Sequence, residues 1–195
     1  LGRVAALSFD PMKVVGAFGS GGALVTDDDQ LADRLRSIRY HGNGGKGRYL
    51  EPGFNSQMHS MQAAILSVKL DLMETWQARR TAIAQRLHET LRNLPNLQTF
   101  STLDGNIHNF HKFVVSVSKR DHLRKLLHSK GVETKVHYEV PLHQQPMFNF
   151  NSNCPAADMI CKSVLSLPIY PELTDGEVSR IGEAVCSAVL TLDAS

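Results

Sequence analysis

The sequence lacks long apolar runs, paired cysteines and an excess of charge of either sign. Its 195 residues carry 21 Lys and Arg against 19 Asp and Glu, a formal net charge of +2. The basic residues form no stripe with interleaved aromatics, which argues against nucleic acid as a partner. The apolar runs are too short to span a membrane, so no membrane association is expected. Hydrophobic residues make up 42% of the chain, enough to form a real core.

Cysteine is scarce: Cys154, Cys161 and Cys186 are an odd number without CxxC spacing. A disulfide framework is therefore not expected, and a reduced, cytoplasmic setting is favoured. The histidines and cysteines follow no usual zinc-ligand spacing, so we expect no metal site. No signal peptide is visible. Because the chain starts at Leu1 within a strand-like segment, we expect the sequence to be a fragment.

Strand-like and helix-like segments alternate in the first half of the chain, which predicts an α/β fold. Residues 3–9 are apolar and predict a buried strand, and residues 23–25 predict a second one. Thr26 is the expected N-cap of the helix that follows, with acidic residues in its first turn. From Gln57 to Leu94, apolar residues recur at helical spacing. This segment predicts one long helix that connects two parts of the molecule.

The second half continues the alternation. We expect a strand over 110–117, a helix over 120–129 and an extended segment over 132–138. A short strand over 165–169 precedes a last helix over 174–190. The sequence Thr-Asp-Gly-Glu at the start of that helix is a capping box. Arginines in the long helical segment, Arg79 and Arg80, are most simply a solvated helix face.

Ser8 and Lys13 enclose a short loop that follows the first strand and precedes a cluster of glycines. A hydroxyl can donate to a phosphate, and glycine lets the backbone approach a ligand closely. An unprotonated lysine amine can condense with an aldehyde, so these residues suit a phosphorylated aldehyde cofactor. A P-loop is excluded, because Lys13 precedes the glycines and is followed by Val14. By itself, a loop lysine is more often only a solvated charge.

Several short segments, in a fixed order, resemble the DegT/StrS-type sugar aminotransferases, which are fold-type-I enzymes that depend on pyridoxal 5'-phosphate. The resemblance covers essentially the whole chain and corresponds to the C-terminal half of that family. The segments are SFDPMK (8–13), GSGGA (19–23), RYHG (39–42), GFNSQM (53–58), MQAAIL (61–66), VHY (136–138), PLH (141–143) and SLPI (166–169).

The resemblance implies a domain organisation and a reaction. Residues 1–75 would be the C-terminal part of the cofactor-binding large domain, and residues 76–195 the connecting helix and a small C-terminal α/β domain. The reaction would move an amino group from an amino acid, with glutamate as the expected donor, to a nucleotide-linked keto sugar. The cofactor would be pyridoxal 5'-phosphate.

The resemblance also implies roles for individual residues. Lys13 would form the Schiff base to the cofactor, and Ser8 would bind the cofactor phosphate. Asn55 would reach the phosphate of the cofactor in the neighbouring subunit, which implies a homodimer with shared active sites. In this family, two further cofactor contacts come from the N-terminal half. One is the Asp that pairs with the pyridine nitrogen, and the other is the aromatic ring that stacks on the cofactor. We therefore expect this chain alone to bind the cofactor poorly.

The nucleotide sugar would lie near Lys46 and the His137-Tyr138 pair. A cation beside a pyrophosphate and hydrogen-bond donors beside a sugar are electrostatically reasonable. Two departures from the family pattern stand out. Gln57 occupies a position that is commonly Arg, and Ser20 one that is often acidic. Gln can still form hydrogen bonds there but lacks the charge with which Arg would bind a carboxylate or a phosphate.

Two other functions stay open at this point. A sugar dehydratase of the same fold would also use pyridoxal 5'-phosphate, but such relatives can replace the aldimine lysine, so the presence of Lys13 favours transamination. A truncated, non-catalytic subunit or interaction module is the alternative from a different class. The apolar stripe from Met61 to Trp76 is interpreted as core or dimer surface.

Overall fold

Helices and small antiparallel sheets alternate in the computed structural model, which describes residues 2–148 and 153–193. The chain divides into two compact units, Leu1–Glu74 (unit 1) and Thr75–Ser195 (unit 2). No helix within the described residues is both long enough and apolar enough to cross a membrane. The elements, in chain order, are β1 (Ala5–Ser8), β2 (Gly22–Val25), α1 (Asp29–Ile38), α2 (Ser60–Leu70), α3 (Met73–Leu91), β3 (Leu97–Thr99), β4 (Phe113–Val117), α4 (Arg120–Ser129), α5 (Pro155–Ser163), β5 (Val164–Leu167) and α6 (Asp175–Asp193).

Unit 1 contains a two-stranded antiparallel sheet, in which Ser8 of β1 pairs with Gly22 of β2. Every residue of β1 is exposed, so the prediction of a buried strand is wrong. The apolar sequence specifies a strand, but burial also needs a second layer packed against its face. The buried apolar cluster of unit 1 is small and lies elsewhere, in the loop after β1 and on α2; it consists of Val15, Ala17 and Leu66.

The first helix begins two residues later than the sequence predicts. Asp28 is its N-cap, and the Asp28 carboxylate accepts a hydrogen bond from the Leu31 N–H at 2.9 Å. Thr26 instead uses its hydroxyl to accept the Asp28 N–H at 3.2 Å and to donate to the Arg3 carbonyl. The hydrogen bond from Leu31, followed by the one from Arg3, lowers the pKa of Asp28. Either residue type can cap a helix, so the pattern alone left the position ambiguous.

The single long helix predicted between Gln57 and Leu94 is two helices, α2 and α3. The ladder is interrupted after Leu70, where the Leu72 N–H donates to the Lys69 carbonyl at 3.1 Å in a tighter i-to-i+3 turn. The apolar stripe on α2 is not a core face of this chain, because the side chains of Met61 and Val68 are 76% and 66% exposed. The helical spacing of apolar residues therefore continues across the turn that separates α2 from α3.

Unit 2 holds the large core. Its sheet has the order β3-β4-β5, with both pairs antiparallel. The strand β3 was not predicted from the sequence, because it has only three residues and so little periodic pattern. Along β4 buried and half-buried residues alternate, whereas all of β5 is buried. The core combines these strands with residues of α3, α4 and α6, among them Ile83, Leu87, Leu91, Val115, Leu123, Leu127, Leu165, Val185 and Val189.

Two helix boundaries in unit 2 are as predicted. The helix α4 spans 120–129, and Gly131, with a φ of 75°, follows its end. The capping box opens α6: the Thr174 N–H donates to the Glu177 carboxylate at 2.8 Å, and the Glu177 N–H donates to the Thr174 hydroxyl at 3.3 Å. The Thr174 hydroxyl also donates to the Glu177 carboxylate, at 2.7 Å. The hydrogen bonds that the carboxylate accepts from the N–H and the hydroxyl of Thr174 lower the pKa of Glu177.

The prediction of a solvated Arg79–Arg80 face is wrong for Arg80, which is only 7% exposed. The Arg80 Nη1 donates to the carbonyls of Phe110 and Ile169, both at 3.0 Å. Burial lowers the pKa of Arg80, although the nearby Glu172 charge opposes this shift. Arg79 is more exposed and pairs with Asp175 at 2.8 Å. One arginine is thus a surface ion-pair partner, and its neighbour joins two loops inside the unit.

Candidate functional site

The loop that carries Lys13 is closed by main-chain hydrogen bonds. Beyond the end of β1, the Phe9 N–H donates to the Gly21 carbonyl at 2.8 Å, and the Ala17 N–H donates to the Phe9 carbonyl at 2.9 Å. Within the loop, the Lys13 N–H donates to the Asp10 carbonyl at 2.9 Å. Lys13 therefore lies in a tight, hydrogen-bonded turn.

Ser8 and Lys13 both offer groups that a ligand could use. The Ser8 Oγ accepts from the Asp10 N–H at 3.4 Å, which leaves its own hydrogen to be donated. The Asp10 carboxylate in turn accepts the Met12 N–H at 3.0 Å. Lys13 is half-buried, and among the described residues no hydrogen-bond or ion-pair partner is found for its amine. An amine on the loop and a hydroxyl at the end of the strand before it are groups of the kind that bind the aldehyde and the phosphate of pyridoxal 5'-phosphate.

Gly16 lets the loop fold back on the turn that precedes Lys13. A Cβ at position 16 would lie 2.5 Å from the Pro11 carbonyl oxygen and 2.9 Å from that of Asp10. Any side chain would force these backbone segments apart. The glycine-rich sequence after Lys13 thus has a packing role in addition to allowing close approach of a ligand.

Two polar side chains of α2 bind the main chain of this loop. The Gln62 Oε1 accepts the Phe18 N–H at 2.9 Å, and the Lys69 Nζ donates to the Gly16 carbonyl at 2.5 Å. The Lys69 ammonium also lies 4.9 Å from the centre of the Phe18 ring. The sequence pattern did not lead us to expect a role for either residue. The available signal was a pair of polar residues seven positions apart, which places them on one face of a helix.

Asn55 lies on a segment that runs antiparallel to the end of α1. Asn55 pairs with Tyr40 in an isolated bridge, and the Phe54 N–H donates to the Ile38 carbonyl at 2.8 Å. The Ser56 N–H continues the pairing by donating to the Arg39 carbonyl. Asn55 is exposed. The backbone at Asn55 is therefore held while its side chain faces outward.

Gly42 and Gly53 allow these two segments to touch. A Cβ on Gly53 would lie 2.2 Å from the Gly42 nitrogen, and a Cβ on Gly42 would lie 1.7 Å from the Glu51 carbonyl oxygen. Gly42 also has a φ of 76°, in the left-handed region that glycine tolerates. Arg34 of α1 also holds this region, because its Nε and Nη2 donate to the two oxygens of the Glu51 carboxylate. These hydrogen bonds lower the pKa of Glu51.

Lys46 lies at the tip of the loop between these glycines. Asn43 pairs with Tyr49 at its base, and the Gly44 N–H donates to the Arg48 carbonyl at 2.9 Å. Lys46 is exposed and has a φ of 50°. The loop thus presents a cation at the end of a short hairpin-like projection.

His137 and Tyr138 belong to unit 2. The His137 Nδ1 and the Ser166 Oγ lie 2.9 Å apart, and Ser166 is a buried residue of β5. The rings of His137 and Tyr138 meet edge to face at 5.4 Å, with Tyr138 exposed. Lys135 pairs with Ser166 through the main chain, which fixes the segment beside β5.

The structure thus places Ser8 at the end of β1 and Lys13 in the loop that follows it, both in unit 1, and Lys46 and Asn55 on one segment of the same unit. His137 and Tyr138 are neighbours in unit 2. Their functional roles stay predictions. Gln57 is exposed, as is Ser20.

The family model of the DegT/DnrJ/EryC1/StrS aminotransferases matches residues 1–186. The "pleiotropic regulatory protein" of Geobacillus stearothermophilus is 38% identical over 193 residues, 95% of this chain and 51% of the relative. The dTDP-3-amino-3,4,6-trideoxy-alpha-D-glucose transaminase of Streptomyces venezuelae is 38% identical over 186 residues, 93% of this chain and 49% of the relative.

The crystal structure of S. venezuelae DesV with a ketimine intermediate is similar in fold, with a TM-score of 0.92 at 37% identity. The match covers 96% of this chain and 52% of the DesV chain. The chain therefore spans about half the length of the curated relatives it matches. By the extent of the family match, this α/β chain belongs to the DegT/DnrJ/EryC1/StrS aminotransferase family.

Proposed function

We propose that this chain is part of a pyridoxal-phosphate-dependent aminotransferase that acts on a nucleotide-linked keto sugar, with glutamate as the amino donor. Residues 1–75 would form the end of the cofactor-binding large domain. Residues 76–195 would form the connecting helix and the small C-terminal domain. Family membership and the name of the S. venezuelae relative, a transaminase of a dTDP-linked sugar, support this assignment.

The observation that carries the proposal is the half-buried Lys13, which is held by a closed loop and whose amine has no hydrogen-bond or ion-pair partner among the described residues. When bound, pyridoxal 5'-phosphate supplies an electron sink for the carbon that loses its proton. Lys13 would hold the cofactor through its Nζ and then carry a proton on that atom as acid and base. Such proton transfer contributes roughly 10²- to 10⁴-fold in rate.

The phosphate would be held from two sides. Ser8 would donate its free hydroxyl hydrogen to a phosphate oxygen, as its exposed position at the end of β1 allows. Asn55 would donate its side-chain amide to the phosphate of the cofactor bound by the other subunit. The rigid backbone around Asn55, paired with Tyr40, supports a binding role because it limits the movement of the amide.

The nucleotide sugar would contact Lys46, His137 and Tyr138. Lys46 is a cation on an exposed, glycine-flanked tip, and a cation stabilises a diphosphate by charge-assisted hydrogen bonds. The Ser166 hydroxyl orients the His137 ring, so one ring nitrogen is fixed by the protein. The exposed Tyr138 hydroxyl can donate to a sugar or accept from it.

A homodimer with shared active sites is part of the proposal. Unit 1 exposes a group of large apolar side chains in the segment that carries Lys46 and Asn55: Tyr49, Leu50 and Phe54 are each 68–71% exposed. Apolar side chains clustered in this way are typical of surfaces covered by another protein. A cytoplasmic location stays a prediction from the sequence.

The test is borohydride reduction of the full-length protein in the presence of pyridoxal 5'-phosphate, followed by peptide mass mapping. We expect a phosphopyridoxyl label on Lys13, and we expect Lys13→Ala to lose transamination by at least about 10²-fold. Lys125, an exposed residue of α4, provides the matched control as Lys125→Ala.

Each alternative has a distinct outcome. A normally folded protein without any label would support the non-catalytic module. A label at Lys13 with loss of a sugar hydroxyl, but no amino transfer, would support the dehydratase. Label on a different lysine would overturn the assignment of Lys13.

A further inference from the structure

We infer that Lys69 is a positioning residue for Lys13 and that Gln62 assists it by holding the same loop. Neither residue is among those assigned to the cofactor or the substrate above. The inference rests on the proposed function, since it concerns the orientation of the Lys13 amine. Lys69 acts through the main chain of the loop that follows Lys13.

The two residues project from one face of α2. They are seven positions apart, two helical turns, and both are half-buried. The neighbouring residues Met61 and Val68 are instead exposed. This polar pair therefore faces the glycine-containing loop while the apolar residues beside it face outward.

A short series of contacts links Lys69 to Lys13. The Lys69 Nζ donates to the Gly16 carbonyl at 2.5 Å. Gly16 packs so closely on the Asp10-Pro11 backbone that a Cβ would lie 2.5 Å from the Pro11 carbonyl oxygen. The Asp10 carbonyl accepts the Lys13 N–H. If Gly16 moves, the turn that carries Lys13 has to move with it.

Gln62 provides the second anchor, two residues further along. Its Oε1 accepts the Phe18 N–H at 2.9 Å, and its Nε2 lies 3.0 Å from where a Cβ on Gly19 would be. Two anchors on the loop restrict both its position and its rotation. The centre of the Phe18 ring lies 4.9 Å from the Lys69 ammonium, within the range of a cation–π contact that adds to the first anchor.

The size of the local core explains why polar anchors matter here. The buried apolar cluster of unit 1 consists of Val15, Ala17 and Leu66, with Phe9 and Met58 packed against it. So small a cluster gives the loop little apolar stabilisation. A charge-assisted hydrogen bond from an ammonium is roughly twice as strong as a neutral one. Lys69 thus adds a charge-assisted hydrogen bond to the main-chain hydrogen bonds that close the loop.

The experiment compares Lys69→Met and Lys69→Arg in the full-length, cofactor-loaded protein, with Lys125→Met as the matched control for loss of a lysine charge. A displacement of about 1 Å at a reacting group can cost about 10²-fold in rate. We therefore expect Lys69→Met to lower kcat by about 10- to 100-fold with an unchanged KM. Lys69→Arg, which keeps a charged donor, should recover most of the rate.

A second readout does not depend on turnover. The absorbance of the resting protein at about 400–430 nm is titrated with pH, and the Lys13 fraction trapped by borohydride is measured. Lys69→Met should shift the midpoint of that titration relative to the wild type, whereas Lys125→Met should not. A purely structural role would lower thermal stability and leave the midpoint and kcat unchanged, and this result would overturn the inference.

Gln62→Leu keeps the idea testable if Lys69→Met does not fold, because it releases the same loop at its other anchor. A shifted midpoint in Gln62→Leu supports the inference, and an unchanged midpoint with an unchanged kcat refutes it. Failure of the proposed function would give a different result, because Lys13 of the wild-type protein would then carry no phosphopyridoxyl label. A labelled wild type with unaffected variants refutes only the positioning role.

Discussion

Replacing the buried Arg80 by methionine should destabilise unit 2 strongly. Arg80 lies in α3, and its Nη1 donates to the carbonyls of Phe110 and Ile169, 30 and 89 positions away. Methionine replaces the aliphatic stem but leaves both carbonyls without this donor. Unsatisfied buried polar groups cost about 1–3 kcal/mol each.

An opposing effect reduces this cost. Methionine also removes the desolvation penalty of a buried guanidinium, the same burial that lowers the pKa of Arg80. The Arg80 Nε finds no partner among the described residues, so part of this penalty is uncompensated. We therefore expect Arg80→Met to lower the free energy of unfolding by about 2–4 kcal/mol, less than the sum of two broken hydrogen bonds.

The assay follows urea unfolding by the fluorescence of Trp76, the single tryptophan of the sequence. Trp76 lies in α3, one helical turn before Arg80, so its emission reports the unfolding of unit 2. Arg92→Met, at an exposed site beyond the end of α3, is the matched control. If Arg80→Met and Arg92→Met unfold at the same urea concentration, the reasoning about the buried hydrogen bonds is refuted.

Two further changes test local geometry. Gly53→Ala should disrupt the segment around Asn55, because its Cβ would lie 2.2 Å from the Gly42 nitrogen; limited proteolysis should cleave this segment faster than in Gly176→Ala, where a Cβ meets open space. Thr174→Ala should lower stability by about 1 kcal/mol through loss of the helix cap, measured by the same unfolding assay. The lowered pKa of Glu177 adds stability above its unfolded pKa that is lost as the pH falls through its folded value. Thr174→Ala keeps the main-chain donor to the Glu177 carboxylate but removes the hydroxyl donor, so it should weaken the acid dependence of unfolding in part, and an unaltered dependence would contradict a contribution from the hydroxyl.

Local signals in the sequence predicted several elements well. The capping box at Thr174 and Glu177 forms because both partners lie within one helical turn. The helix over 120–129 is likewise marked by its own amphipathic pattern and by Gly131 after its end. The order of short motifs from Ser8 to Ile169 indicated the family, which the family match confirms.

Other features depended on contacts that the sequence pattern does not encode. Apolar spacing predicted one helix from Gln57 to Leu94, but the turn at Leu72 divides it. Arg79 and Arg80 are adjacent and identical, and only packing determines that the second of them is buried. An apolar strand over 3–9 was expected to be covered, yet β1 is exposed within this chain.

The sequence by itself determined that the Ser8 hydroxyl, the Lys13 amine and the glycines after Lys13 belong to one short stretch of chain. The sequence alone therefore indicates Ser8 and Lys13 as candidate site residues. Only the tertiary structure decided what holds them, because Lys69 meets Gly16 across 53 positions and Gln62 meets Phe18 across 44. A hydrogen bond between residues so far apart forms only when the fold brings them together.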